Sequence, residues 1–165
     1  MEKKAPKRLI IVMDTREKPQ ATLKIMNHFT QIGAKVIRSK MYVGDYMFLS
    51  NPYLVIDRKQ NLNELCSNVV QEHRRFTDEL KRAEEVGISV VVLVEHGADI
   101  KSIEDVQKWE NPRLKESPLA VSGERLYKIL KAIEYSYRCR FDFCSKPQTG
   151  KKIVEILQGG QNERI

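Results

Sequence analysis

The stretch Gly44-Asp45-Tyr46-Met47-Phe48-Leu49-Ser50-Asn51-Pro52-Tyr53-Leu54-Val55-Ile56-Asp57-Arg58-Lys59 reads as two short strands, residues 45–49 and 53–57, joined by a polar turn at Ser50-Asn51-Pro52. Folding the strands about Asn51 sets position 45 opposite position 57, and side chains so opposed have Cβ atoms about 5 Å apart. Lys59 lies two residues beyond Asp57 and leans to the same face. Two carboxylates and one ammonium therefore converge at one end of a hairpin. Juxtaposed like charges destabilise a fold unless a cation offsets them. Mg²⁺ suits that role, because it takes carboxylate oxygens and keeps several waters for substrate phosphates. It would polarise a phosphoryl oxygen and acidify an attacking water. Lys59 would orient that water or stabilise charge on the phosphate. The same residues also permit a plainer arrangement, in which Asp57 and Arg58 form a structural ion pair and Asp45 is an exposed turn acid. A one-residue slip would put the two acids on opposite faces.

Outward from this hairpin, strand and helix patterns alternate. Residues 9–13, Leu-Ile-Ile-Val-Met, are a short apolar run expected of a strand buried on both faces. Helical spacing over 21–31 ends at Gly33, and 35–39 reads as a second strand. Residues 61–85 predict one long helix, with Leu62, Leu65, Cys66, Val69, Val70, Phe76, Leu80 and Ala83 on its apolar stripe and Arg74, Arg75, Lys81 and Arg82 opposite. Residues 88–94 are the most β-rich segment, and Glu95 at their end either faces the cleft or pairs with a nearby base. A weaker helix is expected over 99–108, a loop over 109–119, and a helix capped by Ser122 running to about 137. A last strand, 141–144, precedes a final helix from Thr149 to Leu157, with a frayed tail over 158–165 and a basic arm over 1–7. The pattern predicts a single α/β domain over 1–165, a mixed central sheet flanked by helices.

Composition narrows the chemistry. The formal net charge of +7 over 165 residues favours polyanionic partners, nucleic acid first among them. No apolar run reaches the roughly 20 residues that span a bilayer, and residues 1–8 lack a signal-type hydrophobic region. Cys66, Cys139 and Cys144 have no zinc-type spacing and read as buried free thiols of a cytoplasmic protein. His28, His73 and His96 are too scattered to complete a zinc site.

The order Asp14-Thr15-Arg16-Glu17, then Gly44-Asp45-Tyr46, then Asp57-Arg58-Lys59 resembles the nuclease domain of the XPF-type (ERCC4-domain) structure-specific endonucleases, a branch of the restriction-endonuclease-like folds with the Asp…(Asp/Glu)-x-Lys signature. The resemblance implies that Asp45 and Asp57 bind Mg²⁺, with the main-chain carbonyl of Arg58 assisting and Mn²⁺ able to substitute. It makes Lys59 the catalytic lysine and places Asp14, Arg16 and Glu17 at the border of the site. For these three the local alternative is a strand-to-helix turn, with Pro19 in a first helical turn. Arg74 and Arg75 resemble a family arginine near the cleft and are candidate DNA-phosphate contacts; otherwise they belong to a solvated helix face. Asp57 stands where the family usually has Glu, and Asn63 where it has a further Asp.

The resemblance implies an endonuclease hydrolysing DNA at flaps, forks or junctions, in repair or recombination. The alternative is an inactive DNA-binding or scaffolding module of the same fold. The helix-hairpin-helix modules of full-length relatives do not fit within 165 residues, so substrate choice is expected from the domain's own surface, a protein partner, or a homodimer. In the dimer, Tyr127 and Tyr135 on the 122–137 helix would enrich the interface in aromatics.

Overall fold

The computed structural model describes residues 7–97 and 99–162. Its strands are β1 (Ile10–Met13), β2 (Lys35–Arg38), β3 (Tyr46–Phe48), β4 (Asn51–Lys59), β5 (Ser89–Glu95) and β6 (Cys139–Cys144). Its α-helices are α1 (Leu23–Gln31), α2 (Leu62–Val70), α3 (His73–Glu85), α4 (Gly123–Ser136) and α5 (Thr149–Asn162). The strands form one mixed sheet in the order β2-β1-β3-β4-β5-β6. β3 runs antiparallel to β1 and β4, and the other neighbours are parallel.

The alternation of side chains along each strand divides the core in two. Val12, Val55, Val90, Val92 and Val94 pack under α2, α3 and α4. Ile11, Met13, Ile56, Val91 and Leu93 pack on the other face against α1 and α5. Covering a sheet on both faces explains why β1 and β5 are continuous apolar runs.

The hairpin departs from its expected form in an instructive way. The turn sits at Leu49-Ser50, one residue earlier than the composition suggested, and Phe48 pairs with Asn51. The register then shifts, so that Tyr46 pairs with Ile56. That pairing restores the alignment of position 45 with position 57. An irregularity within β4, not a turn centred on Asn51, sets the register at the functional end.

The helix expected over 61–85 is two helices. Gln71 and Glu72 both donate to the Ser67 carbonyl at 3.0 Å. The His73 ring nitrogen Nδ1 lies 2.9 Å from the Val69 carbonyl, the group that an unbroken helix would give to the His73 amide. The wide step in the apolar stripe between Val70 and Phe76 marks this break, which lets both halves bury their own stripes. Other differences are smaller. The helix expected over 99–108 is only a 3₁₀ turn, Glu104–Lys108. The Ser122 hydroxyl caps α4 by accepting from the Arg125 amide. α5 continues through Gly159 and Gly160 to Asn162, so the tail expected from residue 158 is helical over its described part. All but Lys7 of the basic arm lies outside the described residues.

Gly44 enters β3 with φ at +75°, where a Cβ would stand 3.0 Å from the Ile56 carbonyl oxygen and from Val55 Cγ2. A left-handed backbone costs a non-glycine residue about 1–2 kcal/mol, before any clash. Gly44→Ala should therefore lower unfolding stability by about 2 kcal/mol in urea denaturation. An unchanged midpoint would show that this turn does not constrain the strand.

Candidate active site

Asp45 sits where three strands meet. Its amide donates to the Ile56 carbonyl at 2.7 Å, and its carbonyl accepts the Asp14 amide at 2.8 Å. Its carboxylate oxygen Oδ2 accepts the Arg58 amide at 2.8 Å. The strand register aligns Asp57 with Asp45 on the same face of the hairpin, close enough for its charge to act on Asp45. Burial, then the Asp57 charge, then Glu17 push the Asp45 carboxyl well above the usual aspartate range. Lys59 Nζ lies 3.1 Å from Asp57 Oδ2 and 6.0 Å from the centre of the Phe76 ring. Burial disfavours its ammonium, but Asp57, with Asp45 and Glu64, outweighs burial and raises its pKa. Asp57 therefore pairs with Lys59, and the alternative Asp57–Arg58 ion pair does not form.

The side chain of Arg58 alternates to the opposite face, where it is buried. Its Nε donates to Glu17 Oε2 at 2.9 Å and its guanidinium to Glu95 Oε1 at 2.8 Å. Tyr46, fully buried, donates its hydroxyl to the same Glu17 oxygen at 2.8 Å. Glu17 and Arg58 thus border the site from beneath the sheet. Because an extended residue sends its N–H and C=O to the same strand edge, the Arg58 carbonyl faces the Asp45 side together with its amide.

Asp14 is buried and aimed elsewhere. Its carboxylate takes the Met41 amide at 2.7 Å, the Arg16 amide at 2.8 Å and Arg16 Nε at 2.7 Å. Burial raises its pKa, but the Arg16 guanidinium and the two amides outweigh that and hold it below the ordinary value. Asp14 is a clamp on the loop that carries Gly44 and Asp45. Arg16, largely exposed, lies on the rim of a groove of about 560 Å³, which Tyr42, Arg74, Arg75 and Arg82 also line. Arg74 and Arg75 stand in the first turn of α3, and Arg75 pairs with Glu72 at 3.1 Å.

The sequence puts Arg82 on the helix face of Arg74 and Arg75, but nothing in the spacing of Arg16 or Tyr42 says that their loops face α3. Glu95 had a usable signal. It shares phase with Val91 and Leu93, as Arg58 does with Ile56, which puts both on one face.

A family profile described as ERCC4 domain matches residues 13–156. The chain belongs to the ERCC4 domain family. Two solved structures are similar to this ERCC4 domain. XPF from Aeropyrum pernix superposes with a TM-score of 0.63 at 16% identity, over 93% of this chain and 66% of that one. XPF from Aeropyrum pernix in complex with DNA gives 0.64 at 18% identity, over 96% and 68%. The chain therefore spans about two thirds of the length of these structures. No curated protein matches its sequence.

The raised Asp45 carboxyl makes a signed prediction. A carboxyl with a folded pKa above its unfolded value of about 3.9 binds protons more readily in the folded state. In metal-free protein its charge therefore costs stability, progressively, as pH rises through the folded pKa. Asp45→Asn keeps an oxygen for the Arg58 amide and removes this cost. The variant should melt higher than the parent at neutral pH without divalent ions, the gap closing towards pH 4. A gap independent of pH would mean that Asp45 carries no such penalty.

Proposed function

We propose that this ERCC4 domain is a metal-dependent DNA endonuclease that hydrolyses phosphodiester bonds at flaps, forks or junctions. The observation that carries the proposal is the convergence of Asp45, Asp57 and Lys59 on one face at the end of the β3–β4 pair.

The residues fit a hard divalent cation. Burial holds Asp45 beside Asp57 at a cost that a positive ion would remove, and the donors available are all oxygen: two carboxylates and the Arg58 carbonyl. Among the described residues no group of three or more His, Cys, Asp or Glu side chains forms a complete cage. A set of two carboxylates leaves positions for water and phosphate, as Mg²⁺ prefers, and Mn²⁺ accepts the same donors. When bound, the ion supplies Lewis acidity at the phosphoryl oxygen and a more acidic water. Lys59, held protonated by Asp57, places a positive charge where charge builds on the phosphate. Arg16, Arg74, Arg75 and Arg82 offer positive charge along the adjoining groove, and the net charge of +7 draws DNA towards it. The DNA complex of the similar archaeal structure supports a nucleic-acid partner. Among the described residues no helix is long and apolar enough to cross a membrane, in keeping with a cytoplasmic protein that meets DNA in solution. Repair or recombination is the setting such substrates imply.

Cleavage of labelled duplex, flap, fork and four-way-junction DNA tests the proposal. Mg²⁺ or Mn²⁺ should support cleavage, with a branched substrate preferred. Asp57→Asn should lower the rate by about a hundredfold or more, the scale of losing one preorganised electrostatic group, while keeping or gaining DNA affinity. Binding without cleavage of any substrate would favour the inactive scaffolding module.

Replacing Arg74 and Arg75 together with Ala should weaken binding to all sequences alike. The slope of log affinity against log salt should fall by roughly two counterions. An unchanged slope would return both to a solvated helix face.

The homodimer belongs to the same proposal. Leu126, Leu130 and Ile133 dock α4 on the sheet, and Tyr135 is 94% exposed, free to meet a second copy; Tyr127 instead packs against the core. Light scattering should give twice the 19.2 kDa chain mass. The single-chain mass, unchanged by DNA and Mg²⁺, would exclude the dimer.

A further inference from the structure

We propose that Glu95 is a positioning residue for the cation site: through Arg58 it fixes the strand end that carries the ligands, and it supplies one of the negative charges that the cation neutralises. This rests on the reading of Asp45, Asp57 and the Arg58 carbonyl as ligands.

Arg58 is the one residue of β4 whose amide holds Asp45 while its flanking residues, Asp57 and Lys59, carry the other functional groups. Its side chain is bolted on the far face of the sheet by two carboxylates of different origin. Glu17 comes from the chain after β1, and Glu95 from the last residue of β5, the strand hydrogen-bonded beside β4. Tyr46 of β3 joins through Glu17. The guanidinium therefore locks β4 to both its neighbours at the level of the ligands. A buried ion triad is a poor source of stability, since apolar residues of similar volume serve as well or better. Its gain here is geometry: an arginine fork anchored at two points fixes the main chain above it.

Glu95 is also more than a tether. It is 2% exposed, and its second oxygen, Oε2, is buried without a hydrogen-bond partner among the described residues. An unpartnered buried carboxylate oxygen requires an explanation. Glu17 and Glu95 against Arg58 leave one negative charge in excess; Asp45 and Asp57 against Lys59 leave another. Among these six side chains the balance is two positive charges short, the charge of one divalent cation, and Glu64 adds a further negative charge near Lys59. Glu95 contributes to that deficit from behind the sheet, where it cannot obstruct water or phosphate.

The test is Mn²⁺ binding to the whole chain without DNA, by calorimetry, alongside the metal-free melting temperature. Glu95→Gln keeps the size of the side chain and an oxygen for Arg58 but loses the charge. It should melt within a few degrees of the parent, yet bind Mn²⁺ about tenfold more weakly, the loss expected on disturbing a partner of a ligand. Glu95→Ala should weaken Mn²⁺ further, and DNA affinity without divalent ions should not fall in either variant. Parental Mn²⁺ affinity in Glu95→Gln would overturn the proposal even if Glu95→Ala fails to fold. Asp45→Asn and Asp57→Asn separate the two readings. If they abolish Mn²⁺ binding and Glu95→Gln does not alter it, only the role of Glu95 falls. If they too leave it unaltered, the site itself is wrong and the role of Glu95 falls with it.

Discussion

Three hydrogen bonds to Asp45 hold the working end of this molecule together. Its amide reaches Ile56, its carbonyl takes the Asp14 amide, and its carboxylate takes the Arg58 amide. One residue thereby joins the end of β1, the start of β3 and the end of β4. Gly44, with positive φ, turns the chain into this position, and Asp14 clamps the preceding loop through Met41. Each of these groups serves to place one carboxylate, and they place it beside another.

That placement opposes stability, as active sites often do. Asp45 stands half-buried next to Asp57, where water screens the repulsion less than it would at an open surface. Lys59 offsets part of it from the same face, and its ammonium stands over the ring of Phe76, which α3 buries in the core. On the opposite face the excess is again acidic, with Arg58 between Glu17 and Glu95. The sheet thus separates two unbalanced charge clusters by one strand's thickness. A cation on the open side would meet the carboxylates of one cluster and the field of the other.

The surface beside this edge follows from the break between α2 and α3. Had the helix continued, Arg74 and Arg75 would lie within its length; the break at Gln71-Glu72 puts them in a first turn, beside Arg16 of the segment after β1 and Tyr42 of the β2–β3 loop. The groove is formed by elements far apart in sequence, and its basic side chains stand among Glu72, Asp78 and Glu79.

Local pattern sufficed for the mixed α/β architecture, because short apolar runs rich in β-branched residues, such as 10–13 and 90–94, suit strands of a sheet covered on both faces. It also sufficed for Asp45, Asp57 and Lys59 sharing a face, since alternation along a strand is a property of the chain itself. The turn was displaced by one residue and an irregularity in β4 restored the register, which no local pattern announces. Only the tertiary structure decided that Arg58 pairs with Glu17 and Glu95 rather than Asp57, that Asp14 clamps a loop, and that Arg16 and Tyr42 share a groove with Arg74, Arg75 and Arg82. The physical reason is common to all three. Which face a side chain takes is set within a few residues of chain, but which charge it meets depends on strands and helices brought together from distant parts of the sequence.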